Sequence, residues 1–295
     1  MRIAHPETEQ DSPWYRESAP SADLSPWVSH FRVIRGGAPA GIRLLADGCT
    51  GVVIDCAAAV LPSPPVFVGV MRTASVVTFD ESREVIGVRF KPGGALPFVA
   101  PSLDELTGRR VPLPLLWGHL AQQMGNAVRT AAPGERIAAL EVYLRGRMHQ
   151  QQSAESRRQA IMAREAALVS RAVTHLGRDS AARVRDVAAA LGIDARRLER
   201  IFNRTVGVPP KVFHRMRRCC EAARLIRHTC GEQANKAAER PLGRCNWSAI
   251  GAAAGYADQA HFIREFRALT GVTPATYAAE PHPVGFMQYD RSRTS

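Results

Sequence analysis

The chain has 295 residues, of which 45% are hydrophobic and 22% charged, with a formal net charge of +12. That composition excludes global disorder and provides core for about two domains. No uninterrupted apolar stretch approaches ~18 residues, which excludes a membrane-spanning helix. The charge is uneven: residues 1–150 hold 15 Lys+Arg against 14 Asp+Glu, net +1, whereas residues 151–295 hold 24 against 13, net +11. Of the 24 cations in the second half, 22 are arginine, whose planar fork suits phosphate and guanine edges. A basic half beside a neutral half points to a polyanion-binding module joined to something else. Charge alone also fits a solvated surface of high pI, so the residue pattern has to decide.

The first residues, MRIAHPETEQDSPWYRE, are polar and acidic and lack the apolar run of a secretory signal. Residues 1–25 read as an irregular arm. From Val28 to Phe90 short β-branched runs follow one another: Val28–Ile34, Ile42–Ala46, Gly51–Cys56, Val66–Val70, Ser75–Phe79 and Val85–Phe90. Turn residues separate them, which predicts a small antiparallel sheet or barrel. After Lys91-Pro92-Gly93-Gly94 the pattern turns helical, over Leu115–Val128 and Glu135–Met148. The polar run HQQQSAESRRQA at 149–160 marks a linker, beyond which helical periodicity continues to about residue 279. The segment from Pro281 reads as a loose tail.

The basic half contains an internal repeat. VRDVAAALGIDARRLERIFNRTVGVPP (Val184–Pro210) matches WSAIGAAAGYADQAHFIREFRALTGVTP (Trp247–Pro274). Leu198, Arg200, Phe202, Gly207, Val208 and Pro210 fall on Phe262, Arg264, Phe266, Gly271, Val272 and Pro274 at a constant offset of 64. Each copy has the layout of a helix-turn-helix. An Ala-rich helix ends at a turn glycine, Gly192 or Gly255, and Asp194 or Asp258 then supplies the N-cap of a second helix. Leu198, Ile201, Phe202 and Thr205 share one face of the first such helix; Phe262, Phe266 and Leu269 form the stripe of the second. An apolar stripe by itself signifies core packing, but two such units in tandem in an arginine-rich half indicate DNA binding. Between them, PKVFHRMRRCCEAARLIRH (Pro210–His228) predicts a basic connector helix of roughly 28 Å, comparable to the ~34 Å turn of a duplex.

GYADQAHFIREFRALTGVTPATY (Gly255–Tyr277) and LGIDARRLERIFNRTVGVPPKVF (Leu191–Phe213) resemble the second and first helix-turn-helix units of the AraC/XylS family of bacterial transcription regulators. IRLLADGCTGVVID, VGVRFKPGGALPFV and LDELTGRRVPL in the N-terminal half resemble the sensor-like domain of one AraC-type subgroup. The resemblance implies an α+β chain. Residues 1–150 would form a small β-rich, barrel-like sensor or dimerisation domain followed by helices, and 151–164 a linker. Residues 165–279 would form an all-α DNA-binding domain with two helix-turn-helix units on a long helix, and 280–295 a tail. The resemblance places Arg196, Arg197, Glu199 and Arg200 of the first unit, and Gln259, Ala260, His261 and Arg264 of the second, at base edges. Asn203, Arg204, Lys211 and Arg267 fall at phosphates. It implies duplex operator DNA and RNA polymerase as partners in the cytoplasm, and leaves room for a small-molecule effector and a homodimer. One departure is the segment Thr229–Asn246, about a dozen residues longer than the family's connection, which is expected to loop out.

Other chemistry finds little support. Without C-x-x-C, H-x-H, H-E-x-x-H or G-x-S-x-G, neither a metal centre, a cofactor nor catalysis is expected. The six cysteines are expected to be free thiols of a reducing compartment. Cys49 and Cys56 read as small buried residues, the alternative being a thiol-based redox or DNA-damage-responsive regulator. Cys219 and Cys220, adjacent on the connector, are not expected to face the core together. Cys230 and Cys245 bracket the extra segment and are a candidate redox or metal clip.

Overall fold

The structure, a computed structural model, describes residues 14–36, 41–56, 63–78, 84–152, 156–178, 182–231 and 245–280. Eight strands are described: β1 (Tyr15–Ser18), β2 (Val28–Ile34), β3 (Ile42–Leu44), β4 (Thr50–Asp55), β5 (Val66–Val68), β6 (Ser75–Val77), β7 (Val85–Phe90) and β8 (Arg110–Pro112). Six form one antiparallel sheet in the order β1-β2-β7-β4-β5-β8, and β3 pairs with β6. The sheet's register sorts its side chains by the period of two. Phe31, Val88, Val52 and Phe67 make one cross-strand row, and Val33, Ile86 and Ile54 the next. All seven are buried in one cluster with Met124 and Val128 of α2 (His119–Thr130) and Leu140 and Leu144 of α3 (Arg136–Gln152). The opposite face carries Arg32, Ile34, Val53, Val66, Val68 and Arg89, and with the β3–β6 pair it encloses a cavity.

Every predicted strand run contains a strand, and two more appear. Tyr15, inside the presumed arm, is 1% exposed and pairs β1 to β2 opposite Ile34; one large aromatic in a polar segment suffices to hold the edge. β8 ends in Pro112, which an edge strand tolerates because no outer neighbour needs its missing N–H. The predicted helix at Leu115–Val128 is broken: α1 (Pro114–Trp117) stops at Gly118, whose φ is 59°. The segment read as a linker is largely helical, with α3 reaching Gln152 and α4 running from Ser156 to Arg178.

The C-terminal region continues with α5 (Val184–Ala190), α6 (Ala195–Val206), α7 (Pro210–Ile226), α8 (Trp247–Ala253), α9 (Gln259–Thr270) and α10 (Pro274–Ala279). α7 is the connector and is packed on two sides. Ala222, Ala223 and Ile226 join Ile250, Phe262, Phe266 and Tyr277, while Phe213 and Met216 join Val173, Leu198 and Phe202. The β domain supplies side chains to both clusters, Leu45 to the first and Ala46 and Val70 to the second. The expectation for Cys219 and Cys220 fails for this reason: both are 3% exposed, and Cys220 Sγ donates to the Ala46 carbonyl at 3.5 Å.

The two regions are further tied by Ala74 N–H to the Leu269 carbonyl at 2.7 Å and Thr107 Oγ1 to the Gly207 carbonyl at 2.5 Å. Arg43 forks onto Glu280 at 2.9 and 2.6 Å and donates to the Thr270 carbonyl at 2.8 Å. Glu280, the first residue of the presumed tail, is thus anchored; the rest of that segment lies outside the described residues, as do residues 232–244 of the extra segment.

Candidate nucleic-acid interface

Both helix-turn-helix units are built from the same local chemistry. The Asp194 carboxylate accepts the Arg197 backbone N–H at 2.7 Å, and the Asp258 carboxylate accepts that of His261 at 2.7 Å. Each satisfies a donor that the first helical turn leaves open. The turn glycines Gly192 and Gly255 and the terminating glycines Gly207 and Gly271 all have positive φ, between 70° and 98°, the left-handed conformation that ends a helix at least cost. Leu198, Ile201, Phe202 and Thr205 are buried on α6, and Phe262, Phe266 and Leu269 on α9.

With those faces inward, Arg196, Arg197, Glu199, Arg200 and Arg204 on α6, Lys211 on α7, and Gln259, Ala260, Arg264 and Arg267 on α9 are exposed; Asn203 and His261 are half-buried. Among the described residues no carboxylate pairs with Arg196, Arg197, Arg200, Arg264 or Arg267. Arg204 differs, being ion-paired with Glu165 of α4.

The residue missed at the sequence level is Glu265. It lies on the inner face of α9, 8% exposed, and accepts from Arg215 Nε at 2.9 Å and from Arg218 Nη2 at 2.8 Å. His261 Nε2 lies 3.7 Å from the same carboxylate. Arg218 also stacks 4.9 Å above the Tyr256 ring and donates to the Gly255 carbonyl at 3.3 Å. The helix α9 is therefore clamped to the connector by charge as well as by Phe262 and Phe266. The signal was present: Glu265 interrupts the apolar stripe of a basic helix, opposite two arginines three residues apart.

The cavity in the β domain has a volume of about 310 Å³. Its walls are mainly valine, isoleucine and leucine, and its charged lining is Arg32, Arg89, Arg110 and Asp47. Asp47 accepts from Arg89 and from the Cys49 backbone N–H at 3.0 Å. Arg32 forms no hydrogen bond or ion pair among the described residues, and burial together with Arg89 pushes its pKa down to about 10. Its side chain lies over Gly87, its neighbour in the sheet, where a Cβ would come within 2.9 Å of Arg32 Nε.

The thiols are protonated in character. Burial pushes Cys56 up to about 11 and Cys220 to about 12, and raises Cys49 and Cys219 as well. Cys245 is disulfide-bonded; the side chain of Cys230 lies outside the described residues. No group of three or more His, Cys, Asp and Glu that could hold a metal occurs among the described residues, and no described helix is long and apolar enough to cross a membrane.

Two family models match parts of the chain. Residues 16–112 match a domain of unknown function, DUF6597, and residues 187–280 match a helix-turn-helix domain. No curated protein matches the chain. Similar solved structures include ToxT from Vibrio cholerae O395, at 10% identity over 91% of this chain and 98% of that one, TM-score 0.39. Wild-type ToxT from strain SCE256 with a bound unsaturated fatty acid has 12% identity over 84% and 94%, TM-score 0.38. ToxT bound to (E)-4-(8-methylnaphthalen-1-yl)but-3-enoic acid has 9% identity over 84% and 96%, TM-score 0.40. The chain thus joins a DUF6597 domain to an AraC-type helix-turn-helix domain, the make-up of a DNA-binding transcriptional regulator.

Proposed function

We propose that the chain reads one specific duplex site by placing α6 and α9 in successive major grooves. The observation that carries this is the repetition itself. Two capped helices, each with a buried stripe and an outward arginine at the equivalent position, sit on one connector. The connector's 17 residues span roughly 25 Å, a separation suited to adjacent grooves about 34 Å apart. Arg200 and Arg264 are assigned to guanine edges, and Gln259 to adenine. Arg196, Arg197, Glu199, Ala260 and His261 line the same early turns. Asn203, Lys211 and Arg267 are assigned to phosphates, and Arg204 joins them only by leaving Glu165.

In this reading residues 165–279 bind DNA, residues 151–164 join the two regions, and residues 1–150 form a sensor whose cavity takes a small effector. Residues 280–295 are its tail. RNA polymerase is the partner such a regulator engages in the cytoplasm. Two units in one chain make a homodimer optional. A thiol switch is disfavoured, because burial raises every described free thiol and the thiolate is the reactive form.

The test is quantitative binding to a panel of single-base variants of a selected site. Arg200→Ala and Arg264→Ala should each cost about 1–3 kcal/mol and relax the preference at one base pair. A loss uniform across all sequences would reassign that arginine to a phosphate.

A further inference from the structure

The connector carries more positive charge than its packing uses. The loop of residues 45–49 covers one side of α7: Gly48 lies so near Phe213 that a Cβ would sit 2.4 Å from its ring, and the Ala46 carbonyl accepts from Cys220. At 3.6 residues per turn, Lys211, Arg215 and Arg218 fall roughly 140–180° around the helix from Phe213 and Cys220. They form one basic stripe on the side away from the β domain. Its far end is fixed by Arg218, which donates to the Gly255 carbonyl in the turn of the second unit. Its middle, Arg215, stands beside the first turns of α9: Arg215 Nε and His261 Nε2 approach the same Glu265 oxygen, at 2.9 and 3.7 Å.

Arg215 is surplus to the neutralisation of Glu265. One buried carboxylate calls for one counter-charge, and Arg218, 17% exposed, supplies it. Arg215 is 41% exposed, so its own pairing stabilises the fold little. Only its Nε is engaged; among the described residues Nη1 and Nη2 have no partner. A guanidinium fastened by one nitrogen presents the other two as an oriented fork, the arrangement that grips a phosphate through two parallel hydrogen bonds.

We infer that Arg215 is a further DNA contact, which meets the sugar–phosphate backbone at the centre of the site, and that Glu265 positions it. The inference rests on the reading of α6 and α9 as helices in successive major grooves. In that placement α7 bridges the minor groove lying between them. The β domain bars one side of α7, so the basic stripe opposite is the side turned to the duplex. A phosphate contact carries no base information, so Arg215 adds affinity and fixes register without changing which bases are read.

Fluorescence anisotropy of the full chain on a selected two-box duplex tests it, with uncharged methylphosphonates replacing the phosphates between the boxes one at a time. For the parent, at least one central replacement should weaken binding about tenfold. Arg215→Gln should bind the intact duplex about tenfold more weakly, equally across single-base variants, and the same replacement should then cost nothing further. The slope of log K against log salt should fall by about one for Arg215→Gln and return in Arg215→Lys, which keeps the charge. A central replacement that costs the parent and Arg215→Gln alike would overturn the contact, and so would an unchanged salt slope. A lower Tm for Arg215→Gln together with an undiminished methylphosphonate effect would leave Arg215 as part of the clamp only. A loss confined to one base pair would make it a base reader and overturn the phosphate assignment. These outcomes leave the two boxes standing; selection of no two-box site would instead remove the reading of α6 and α9, and this contact with it.

Discussion

Replacing Glu265 by alanine should loosen α9. The carboxylate is 8% exposed and holds Arg215 and Arg218 at 2.9 and 2.8 Å. Removing one partner of a buried pair costs about 3–5 kcal/mol, because the other charge stays behind. Here the two arginines differ: Arg215 is 41% exposed and Arg218 17%. Water takes over for Arg215, whose exposed share contributes about 0–1 kcal/mol. Arg218 keeps only the Gly255 carbonyl and the Tyr256 ring, and its Nε has no partner even now. The expected loss is therefore about 3 kcal/mol, at the lower end of the range for a buried pair. Glu265→Gln, which keeps one carbonyl acceptor, should lose about 1–2 kcal/mol. Adding Arg218→Met to Glu265→Ala should recover part of the loss by removing the stranded charge. Urea unfolding of the full chain, with amide exchange over α9, reads all three. A loss below about 1 kcal/mol for Glu265→Ala, or no recovery with Arg218→Met, would refute the clamp.

Asp194→Ala and Asp258→Ala should each cost about 1 kcal/mol in the same unfolding assay, with exchange rising at the first turn of α6 or α9 respectively; effects confined to neither turn would argue against capping. Gly48→Ala combines a left-handed backbone with overlap onto Phe213 and should cost more than the ~1–2 kcal/mol of the backbone term alone; a neutral result would mean the loop is not pinned to α7. At neutral pH, iodoacetamide should leave Cys49, Cys219 and Cys220 unmodified in the folded chain, since burial keeps them protonated. Rapid labelling of any of them, read by mass spectrometry, would reopen the thiol-switch reading.

Local signals made much of this fold legible. The six β-branched runs sit in strands because Val, Ile and Phe at alternate positions can satisfy a half-buried sheet. The two Asp caps, 64 residues apart, mark the starts of α6 and α9 because capping is settled within one turn. What escaped depends on pairing at a distance. Tyr15 holds an edge strand only because Ile34 lies opposite. Cys219 and Cys220 are both buried because the β domain covers the side of α7 that a lone connector would expose. Arg32, Arg89 and Arg110 share a cavity because strand order and register put β2, β7 and β8 on one sheet with those residues on one face. Glu265 was visible as an acid in an apolar stripe, but its role needed the position of α7.

The measurement that bears most directly on the account is selection from random duplex oligonucleotides by the full-length chain at physiological salt. Two helices on one connector predict enrichment of a site with two information-rich boxes about 10 bp apart. Binding without enrichment that simply fades as salt rises would leave only a basic surface, and a single box would show that α6 and α9 do not read DNA together.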